Sequence, residues 1–399
     1  MRAAKAERMI LKQSWLPGSV TPAYDGLSLA NIPQSILKGF GAPSPGPGLS
    51  EYYFDPSLLE AKKVVLLCAD AFGMELLKRT PFLRKMEGIP LTSVGPSTTS
   101  TGLPSLLTGL TPQEHGMLGY RLFLRELGYV TNMIRFGPSE GIGSFADEGI
   151  DPQLFLPFKN IFHSLRENGV RASAIVKADF EDSPFSQMLY HGADVTTHIS
   201  LPDQLLKAEK SLKAKGRVFT YLYWEMLDTS SHVYGPYSEE VTRELKFFDL
   251  VVQEFADNLK DTLFIVTADH GMVNTPAKKT VDLGQHKALL RNLAAPPSGE
   301  GRFRYLHCKK GKREHVRRYF AKHFSRQGML VDSSELLEKG LFGTGTPHPE
   351  AIHRIGDFCI IPKKDVIFTY PFFDRREHLG GHAGLSKEEM LVPLLWKQT

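Results

Sequence analysis

Three almost wholly apolar runs constrain the fold of this chain more than any other feature. They cover residues 63–68, 218–224 and 263–267, in which Lys63, Thr220 and Thr267 are the exceptions. Runs of this kind are typical of parallel strands that are covered on both faces, whereas strands with one face in solvent alternate apolar and polar residues. The runs therefore predict an α/β fold in which a mostly parallel central sheet carries helices on both faces.

An aspartate follows each of these runs within a few residues. The three are Asp70, Asp228 and Asp269. Open α/β sheets place ligand-binding groups at the carboxyl ends of their strands, so the three carboxylates are candidates for one site. Taken singly, Asp70 is equally well explained as a helix N-cap, and Asp228 as part of a polar turn.

Histidines stand beside two of these aspartates. His232 follows Asp228 by four residues, a spacing that puts both side chains on one face of a helical turn, where they can bind the same cation. His270 directly follows Asp269. Adjacent side chains cannot share a face in regular structure, so we expect a strand-end turn that presents both. His382, near the end of the chain, lies among glycines, which allow the backbone to approach a ligand closely.

Other histidines in the second half of the chain are weaker candidates. His378 competes with His382 for the same role, and we favour His382. His348 and His353 fit a structural or surface role better than that of a ligand.

A cluster of hydroxyl side chains opens the segment 96–120. It consists of Ser97, Thr98, Thr99, Ser100 and Thr101. Leucines at roughly helical spacing follow, which predicts a helix that begins near Ser100, tolerates Pro104 in its first turn and ends at Gly109. A hydroxyl at a helix N-terminus faces unpaired N–H groups, where an anion such as phosphate would bind. The simpler interpretation is a capped helix with no further role.

Composition excludes several classes of protein. Of the 399 residues 42% are hydrophobic and 23% charged, as in an ordinary soluble globular protein. A net charge of +4 is too slight to argue for nucleic-acid binding. The basic run 308–318 fits a solvated helix face, or else a local recruiter of anionic substrate. Three widely spaced cysteines argue against a disulfide framework and a cysteine zinc site. Because signal-peptide and membrane-spanning patterns are both lacking, we expect a cytoplasmic protein with no membrane partner.

The chain divides into three predicted parts. Residues 1–50, rich in proline and glycine, form an N-terminal extension. Residues 51–276 and 376–399 form the α/β core, in which strands at 129–134 and 172–176 and a helix at 158–168 suggest βαβ units. Residues 277–375, where the pattern loosens, form an inserted cap subdomain.

Together the candidates suggest a metal centre. They are Asp70, Thr99, Asp228, His232, Asp269, His270 and His382. Carboxylate, imidazole and hydroxyl groups without cysteine suit two divalent ions held by mixed oxygen and nitrogen ligands. A pair of such ions can catalyse in-line displacement at phosphorus, and coordination can activate a threonine hydroxyl as the nucleophile.

The order of these motifs resembles the alkaline phosphatase superfamily, and most closely its type I phosphodiesterase/nucleotide pyrophosphatase family. The resemblance covers residues 63–396. It rests on the strand-end Asp70, the segment Thr-Gly-Leu-Thr-Pro-Gln-Glu-His-Gly at 108–116, Asp-x-x-x-His at 228–232, Ala-Asp-His-Gly-Met at 268–272 and the late Gly-His382. Each motif is weak alone, and their ordered conjunction is strong.

The resemblance implies a ligand set and a reaction. One metal would be held by Asp70, Thr99, Asp269 and His270, and the other by Asp228, His232 and His382. The ions would be Zn²⁺, with Mn²⁺ as the alternative. Thr99 would attack phosphorus, with Thr98 as the fallback nucleophile, and water would hydrolyse the phosphothreonine. The implied substrate is a small phosphodiester or pyrophosphate of nucleotide type.

Rival functions remain open on the same scaffold. A phosphomonoesterase would need an extra cation near the nucleophile, and none is visible in the sequence beside Thr99. A phosphosugar mutase would transfer the phosphoryl group without releasing it. A sulfatase is disfavoured, because no Cys- or Ser-x-Pro-x-Arg motif follows Asp70, and a degenerate binding protein is disfavoured because all seven positions are filled.

Overall fold

The computed structural model describes residues 2–372 and 378–399. Over these residues the strands are β1 Lys63–Ala69, β2 Glu87–Thr92, β3 Arg121–Leu124, β4 Tyr129–Asn132, β5 Gly137–Pro138, β6 Arg171–Lys177, β7 Asp194–His198, β8 Val218–Trp224, β9 Thr262–Thr267, β10 Val273–Asn274, β11 Thr280–Asp282, β12 Ser298–Glu300, β13 Phe303–Leu306, β14 Gly328–Asp332, β15 Phe358–Pro362, β16 Ile367–Thr369, β17 Gly380–Gly381 and β18 Leu391–Gln398. The α-helices are α1 Arg2–Gln13, α2 Asn31–Gly39, α3 Met74–Leu77, α4 Thr99–Thr108, α5 Pro112–His115, α6 Ile161–Glu167, α7 Pro184–Tyr190, α8 Leu201–Ser211, α9 Met226–Tyr234, α10 Glu239–Asn258, α11 Lys287–Leu290, α12 Arg313–His323, α13 Ser333–Glu338, α14 Ala351–Ile355 and α15 Lys387–Met390.

A seven-stranded sheet forms the centre of the molecule, in the order β2-β18-β9-β1-β8-β6-β7. The pairs of β1 with β8 and β9, and of β6 with β7 and β8, are parallel. Strand β18 runs antiparallel to both of its neighbours. Every residue of β8 and β9 is buried, and because successive side chains point to opposite faces, both faces of the sheet are covered. The predicted α/β fold with a mostly parallel central sheet is confirmed.

The prediction of βαβ units from residue 129 onward is wrong for its first strand. Strand β4 pairs with β3 and β5 in a separate antiparallel sheet. A short connection links β3 to β4, and Gly128 in it adopts a φ of 73°, which a glycine accepts without strain. A tight local hairpin therefore forms where a crossover to the central sheet was expected.

Two details of the predicted helices also differ. Helix α4 begins at Thr99, so Pro104 lies in its second turn and not its first. Helix α6 begins at Ile161, because the side chain of Asn160 accepts a hydrogen bond from the backbone N–H of His163 and caps the helix there.

The division into an extension, a core and a cap stays a prediction. In the first part, Ala6, Ile10 and Ile32 are fully buried in the main hydrophobic cluster. Within the predicted cap a four-stranded antiparallel sheet, β12-β13-β15-β14, packs beside a second apolar cluster; we call residues 277–372 the lobe. The predicted boundary between cap and core, at 375 and 376, lies outside the described residues. None of the described helices is long and apolar enough to cross a membrane.

Candidate metal centre

Three carboxylates meet at one edge of the central sheet. Asp70 follows β1, Asp269 follows β9, and Asp228 lies in the first turn of α9, directly after β8. These strands are neighbours and run in the same direction, so their carboxyl ends coincide. The backbone N–H of Asp70 donates to the carbonyl of Trp224 at 2.8 Å, which joins two of these ends.

Thr99 is the first residue of helix α4 and faces these carboxylates. Its Oγ1 lies 3.4 and 3.5 Å from the two carboxylate oxygens of Asp70 and 3.1 Å from His270 Nε2. Helix α4 approaches closely because Gly102 has no side chain: a Cβ there would lie 3.1 Å from the Cβ of Asp269. Glycine at this position thus lets the N-terminus of the helix rest on the strand end.

The strand-end turn presents Asp269 and His270 together. Asp269 Oδ1 accepts hydrogen bonds from the backbone N–H groups of Ala71 and His270, at 3.3 and 3.0 Å. Its other oxygen, Oδ2, is buried without a hydrogen-bond partner among the described residues. His270 Nε2 lies 3.7 Å from that oxygen and 3.3 Å from Asp70 Oδ1. These atoms enclose a small space lined by oxygen and nitrogen.

A second group lies directly beside the first. His232 Nε2 is 3.4 Å from Asp228 Oδ1 and 3.1 Å from His382 Nε2. The rings of His382 and His270 stack at 3.9 Å with 10° between their planes. Asp228 Oδ1 is buried and, within the described part of the chain, has no hydrogen-bond partner.

Each of the three histidines is turned by a backbone carbonyl. The Nδ1 atoms of His232, His270 and His382 lie 2.9, 3.0 and 3.2 Å from carbonyl oxygens, those of Gly380, Gly271 and Ser97 respectively. A carbonyl can only accept, so each Nδ1 carries the proton and each Nε2 presents a lone pair to the site. Outer acceptors of this kind fix the tautomer and orientation of metal-binding histidines.

Close packing against a helix explains the glycine at position 380, shortly before His382. A Cβ on Gly380 would lie 2.2 Å from the carbonyl oxygen of Ser231, so glycine lets this strand press against α9 and place its carbonyl under His232. This close approach is made to a neighbouring helix, and the expected approach of the backbone to a ligand stays a prediction.

The electrostatics of this cluster suit cations. Burial, followed by the charges of Asp269 and Asp228, raises the pKa of Asp70 well above its usual value. Burial, followed by the rings of His270 and His232, holds the pKa of His382 well below its usual value. Lone pairs and carboxylates crowded together repel one another, and cations between them would remove that repulsion.

The donor atoms fall into two sets, each with all its atoms within 4.8 Å of one another. One set is Asp70, Asp269 and His270, and the other is Asp228, His270 and His382. The donors are carboxylate oxygen and imidazole nitrogen, which fit Zn²⁺ and related divalent ions.

Comparison with known proteins agrees with this geometry. The family model of type I phosphodiesterase / nucleotide pyrophosphatase matches residues 64–385. The chain belongs to this family. The resemblance inferred from motif order is therefore confirmed, and the family is one of enzymes.

Two curated relatives show how far the similarity extends. Ectonucleotide pyrophosphatase/phosphodiesterase family member 1 of Rattus norvegicus is 23% identical over 269 residues, which are 60% of this chain and 27% of the relative. Bis(5'-adenosyl)-triphosphatase enpp4 of Mus musculus is 27% identical over 240 residues, 56% of this chain and 50% of the relative. The chain thus matches between about a quarter and a half of the length of these relatives.

Solved structures share the fold. Murine ectonucleotide pyrophosphatase / phosphodiesterase 5 superposes with a TM-score of 0.62 at 18% identity, covering 83% of this chain and 87% of that one. Phosphonoacetate hydrolase from Sinorhizobium meliloti 1021 gives the same TM-score and identity, covering 84% and 89%.

The structure also shows where the weaker histidine candidates lie relative to this phosphodiesterase-family site. His378 is exposed, and its ring centre lies 4.7 Å from that of His232, on the rim of the group. His348 Nδ1 accepts the backbone N–H of Glu350, and the carbonyl of His353 contacts His307. Neither residue belongs to the two donor sets.

Sequence reasoning missed two polar residues at this site. The hydroxyl of Tyr223 donates to Asp70 Oδ2. Buried Glu300 accepts the backbone N–H of Tyr120 and a hydrogen bond from the Thr98 side chain. Both lie on apolar or irregular segments with no local pattern that marks a polar role.

Proposed function

We propose that the chain holds two divalent cations and hydrolyses phosphodiester or pyrophosphate bonds through a phosphothreonine formed on Thr99. One cation would be held by Asp70, Thr99, Asp269 and His270, and the other by Asp228, His232 and His382. The observation that carries the proposal is the meeting of seven side chains from five segments at one edge of the sheet, with Thr99 Oγ1 between Asp70 and His270. When bound, such ions would lower the pKa of the threonine hydroxyl and neutralise charge on the phosphoryl group and leaving oxygen.

The protein's own groups supply orientation and charge complementarity. The first backbone N–H groups of α4 have no partners within the helix. Those at the start of α4, beside Thr99, could therefore donate to phosphoryl oxygens. The carboxylate of Asp70, whose Oδ2 lies 3.4 Å from Thr99 Oγ1, can accept a hydrogen bond from the threonine hydroxyl and so orient it. Two successive displacements, the first by Thr99 and the second by water, would each invert the configuration at phosphorus and so retain it overall.

Thr99 is preferred to Thr98 on geometric grounds. The side chain of Thr98 is 2% exposed and bonds to Glu300, on the lobe side of the helix N-terminus. The Oγ1 of Thr99 instead faces Asp70 and His270. The two hydroxyls therefore point into different surroundings, and only one of them adjoins the proposed ligands.

The substrate class is proposed from the relatives. One is a bis(5'-adenosyl)-triphosphatase, and a structural neighbour was solved in complex with AMP. We therefore propose a small nucleotide-type phosphoester as substrate and Zn²⁺ as the metal.

A phosphomonoester is the second candidate substrate, favoured by an arginine near the start of α4. Arg121 lies close enough to Glu300 to lower its pKa against the upward effect of burial, and Glu300 bonds to Thr98, the residue before Thr99. Arg121 could therefore supply the extra cation that a monoesterase would need. Comparing hydrolysis of bis-p-nitrophenyl phosphate with that of p-nitrophenyl phosphate separates the two candidates.

The decisive experiment replaces the two threonines in turn. Thr99→Ala should lower kcat for bis-p-nitrophenyl phosphate by at least about 10³-fold, because removal of a nucleophile leaves only binding and electrostatic contributions. Thr98→Ala should lower it far less. Acid quenching of the wild type during turnover, followed by peptide mass analysis, should find phosphate on Thr99. Undiminished turnover by Thr99→Ala would move the nucleophile to Thr98.

We also propose a cytoplasmic location, supported by three cysteines that are all free. Cell fractionation with antibodies against the chain tests it, and recovery outside the cytoplasm would contradict it.

A further inference from the structure

A buried ion pair joins the lobe to the loop that carries His382. Arg302, between β12 and β13, donates from Nε to Glu389 Oε1 at 2.5 Å and from Nη2 to Glu389 Oε2 at 2.7 Å. Both side chains are almost completely buried, at 2% and 0% exposure. Bidentate pairing of this kind fixes the plane and position of a carboxylate.

Glu389 in turn fixes the position of the chain that follows His382. Its carboxylate accepts the backbone N–H groups of Gly384 at 2.8 Å and Ser386 at 3.3 Å. The carbonyl of Gly384 in turn accepts the hydroxyl of Ser97, at 2.7 Å. Ser97 is the residue whose carbonyl orients the His382 ring.

Arg302 also lies directly beneath the chain that enters His382. A Cβ on Gly381 would come 3.4 Å from Arg302 Cδ. The remaining nitrogen of the guanidinium, Nη1, donates to the carbonyl of Val366 in the lobe at 2.7 Å. Arg302 therefore holds a lobe carbonyl on one side and, through Glu389, the His382 loop on the other.

We propose that Arg302 is a positioning residue for the metal site of Asp228, His232 and His382, acting through Glu389. This rests on the metal assignment of the proposed function. The other site depends on Arg302 less, because Asp70, Asp269 and Thr99 sit on strand ends and on α4. His270 contacts the same loop by stacking its ring on that of His382 and through the backbone, since the N–H of Gly271 donates to the main-chain carbonyl of Glu389. Neither contact involves the carboxylate that pairs with Arg302.

A matched control lies two residues along the same lobe segment. Arg304 is also buried, at 3% exposure. Its guanidinium donates to the carbonyls of Phe368 and Gly299, at 3.2 and 3.1 Å, both within the lobe. Arg304→Lys should disturb the lobe as much as Arg302→Lys does, without touching the His382 loop.

The test is calorimetric titration of the metal-stripped full chain with Zn²⁺. His382→Ala identifies the binding event that belongs to the second site. Arg302→Lys keeps the positive charge but loses the bidentate hydrogen bonds to Glu389. It should lower the Zn²⁺ affinity of that event by about 10- to 100-fold, the usual effect of losing an outer partner of a metal ligand. The other event should be unchanged, Arg304→Lys should keep both events, and saturating Zn²⁺ should restore the activity of Arg302→Lys.

Each contrary result has a defined meaning. Equal weakening of both events in Arg302→Lys, no weakening at all, or the same weakening in Arg304→Lys would overturn the positioning role. If Arg302→Lys does not fold, the neutral pair Arg302→Gln/Glu389→Gln is titrated with the same expectation, and an unchanged second event overturns the proposal. If His382→Ala removes no event, the metal assignment itself fails; if it removes one that Arg302→Lys leaves intact, only the positioning role fails.

Discussion

Replacing Tyr223 by phenylalanine should weaken metal binding without repacking the core. The ring of Tyr223 is 6% exposed, and its hydroxyl donates to Asp70 Oδ2. Burial, followed by the charge of Asp70, raises the pKa of Tyr223 well above its usual value, so the hydroxyl remains a donor at every working pH. Tyr223→Phe removes only this donor from a proposed metal ligand.

The size of the effect follows from the charge of the acceptor. A hydrogen bond to an ionised group contributes about 1.5–3 kcal/mol, and since about 1.4 kcal/mol corresponds to tenfold in an equilibrium constant, the affinity for Zn²⁺ should fall by about 10- to 100-fold. The lost bond favours the carboxylate, so its removal raises the pKa of Asp70 further. Protons then compete better with the metal, and the difference from wild type should be largest at low pH and shrink as pH rises.

The assay is Zn²⁺ titration of metal-stripped protein at two pH values, with Tyr221→Phe as control. Tyr221 lies two residues earlier on the same face of β8 and is fully buried, and its hydroxyl bonds to Cys68 and not to a proposed metal ligand. The Tyr221→Phe variant should bind Zn²⁺ as wild type does. Equal affinities for Tyr223→Phe and wild type, or equal losses in both variants, would refute the assignment of Asp70 as a ligand supported by Tyr223.

Three further predictions concern stability. His115 donates from Nε2 to Ser105 and accepts the backbone N–H of Met117 at Nδ1. Burial lowers the pKa of His115 to about 3. The stabilisation that the neutral ring gives is complete above its unfolded pKa of about 6.5 and is lost as pH falls toward about 3, by about 1.4 kcal/mol per pH unit. Urea unfolding of wild type should therefore lose about 2.7 kcal/mol more between pH 7.5 and 4.5 than that of His115→Gln, and equal losses would contradict the pKa. Gly102→Val should lower the free energy of unfolding by about 1–3 kcal/mol, because the new side chain meets Asp269; an unchanged urea midpoint would show that the helix can move away. Zn²⁺ at 100 times its Kd should raise the stability of the stripped chain by about 2.7 kcal/mol per site, and a thermal midpoint that does not respond to Zn²⁺ would count against both sites.

The sequence predicted best what is encoded locally. The runs at 63–68, 218–224 and 263–267 became β1, β8 and β9 because their continuous apolar character suits strands covered on both faces. The Asp-x-x-x-His spacing at 228–232 became one face of α9, since residues four apart are neighbours on a helix. Ser386 and Glu389 have the Ser-x-x-Glu spacing of a capping box, and they form that box at the start of α15.

The second role of Glu389 could not be predicted in the same way. The capping box explains two of its hydrogen bonds, yet the same carboxylate pairs with Arg302, 87 residues away. No local pattern distinguishes that arginine from others in the basic lobe. Long-range pairs of this type, and the insertion of antiparallel β18 between β2 and β9, depend on tertiary packing and leave no periodic signal in the sequence.

The histidine geometry decides how seven ligands divide between two cations. His270 belongs to both donor sets, but its Nδ1 is held by the carbonyl of Gly271, so only one nitrogen can bind a metal. If His270 serves the site of Asp70, the second site must draw on His232, whose Nε2 lies 3.1 Å from that of His382 and 3.4 Å from Asp228 Oδ1. His232→Ala should therefore remove one Zn²⁺ per chain and leave the other, as counted by metal analysis after dialysis. Retention of two ions would mean that His270 supplies the second site instead, and loss of both would show that the sites do not fill independently.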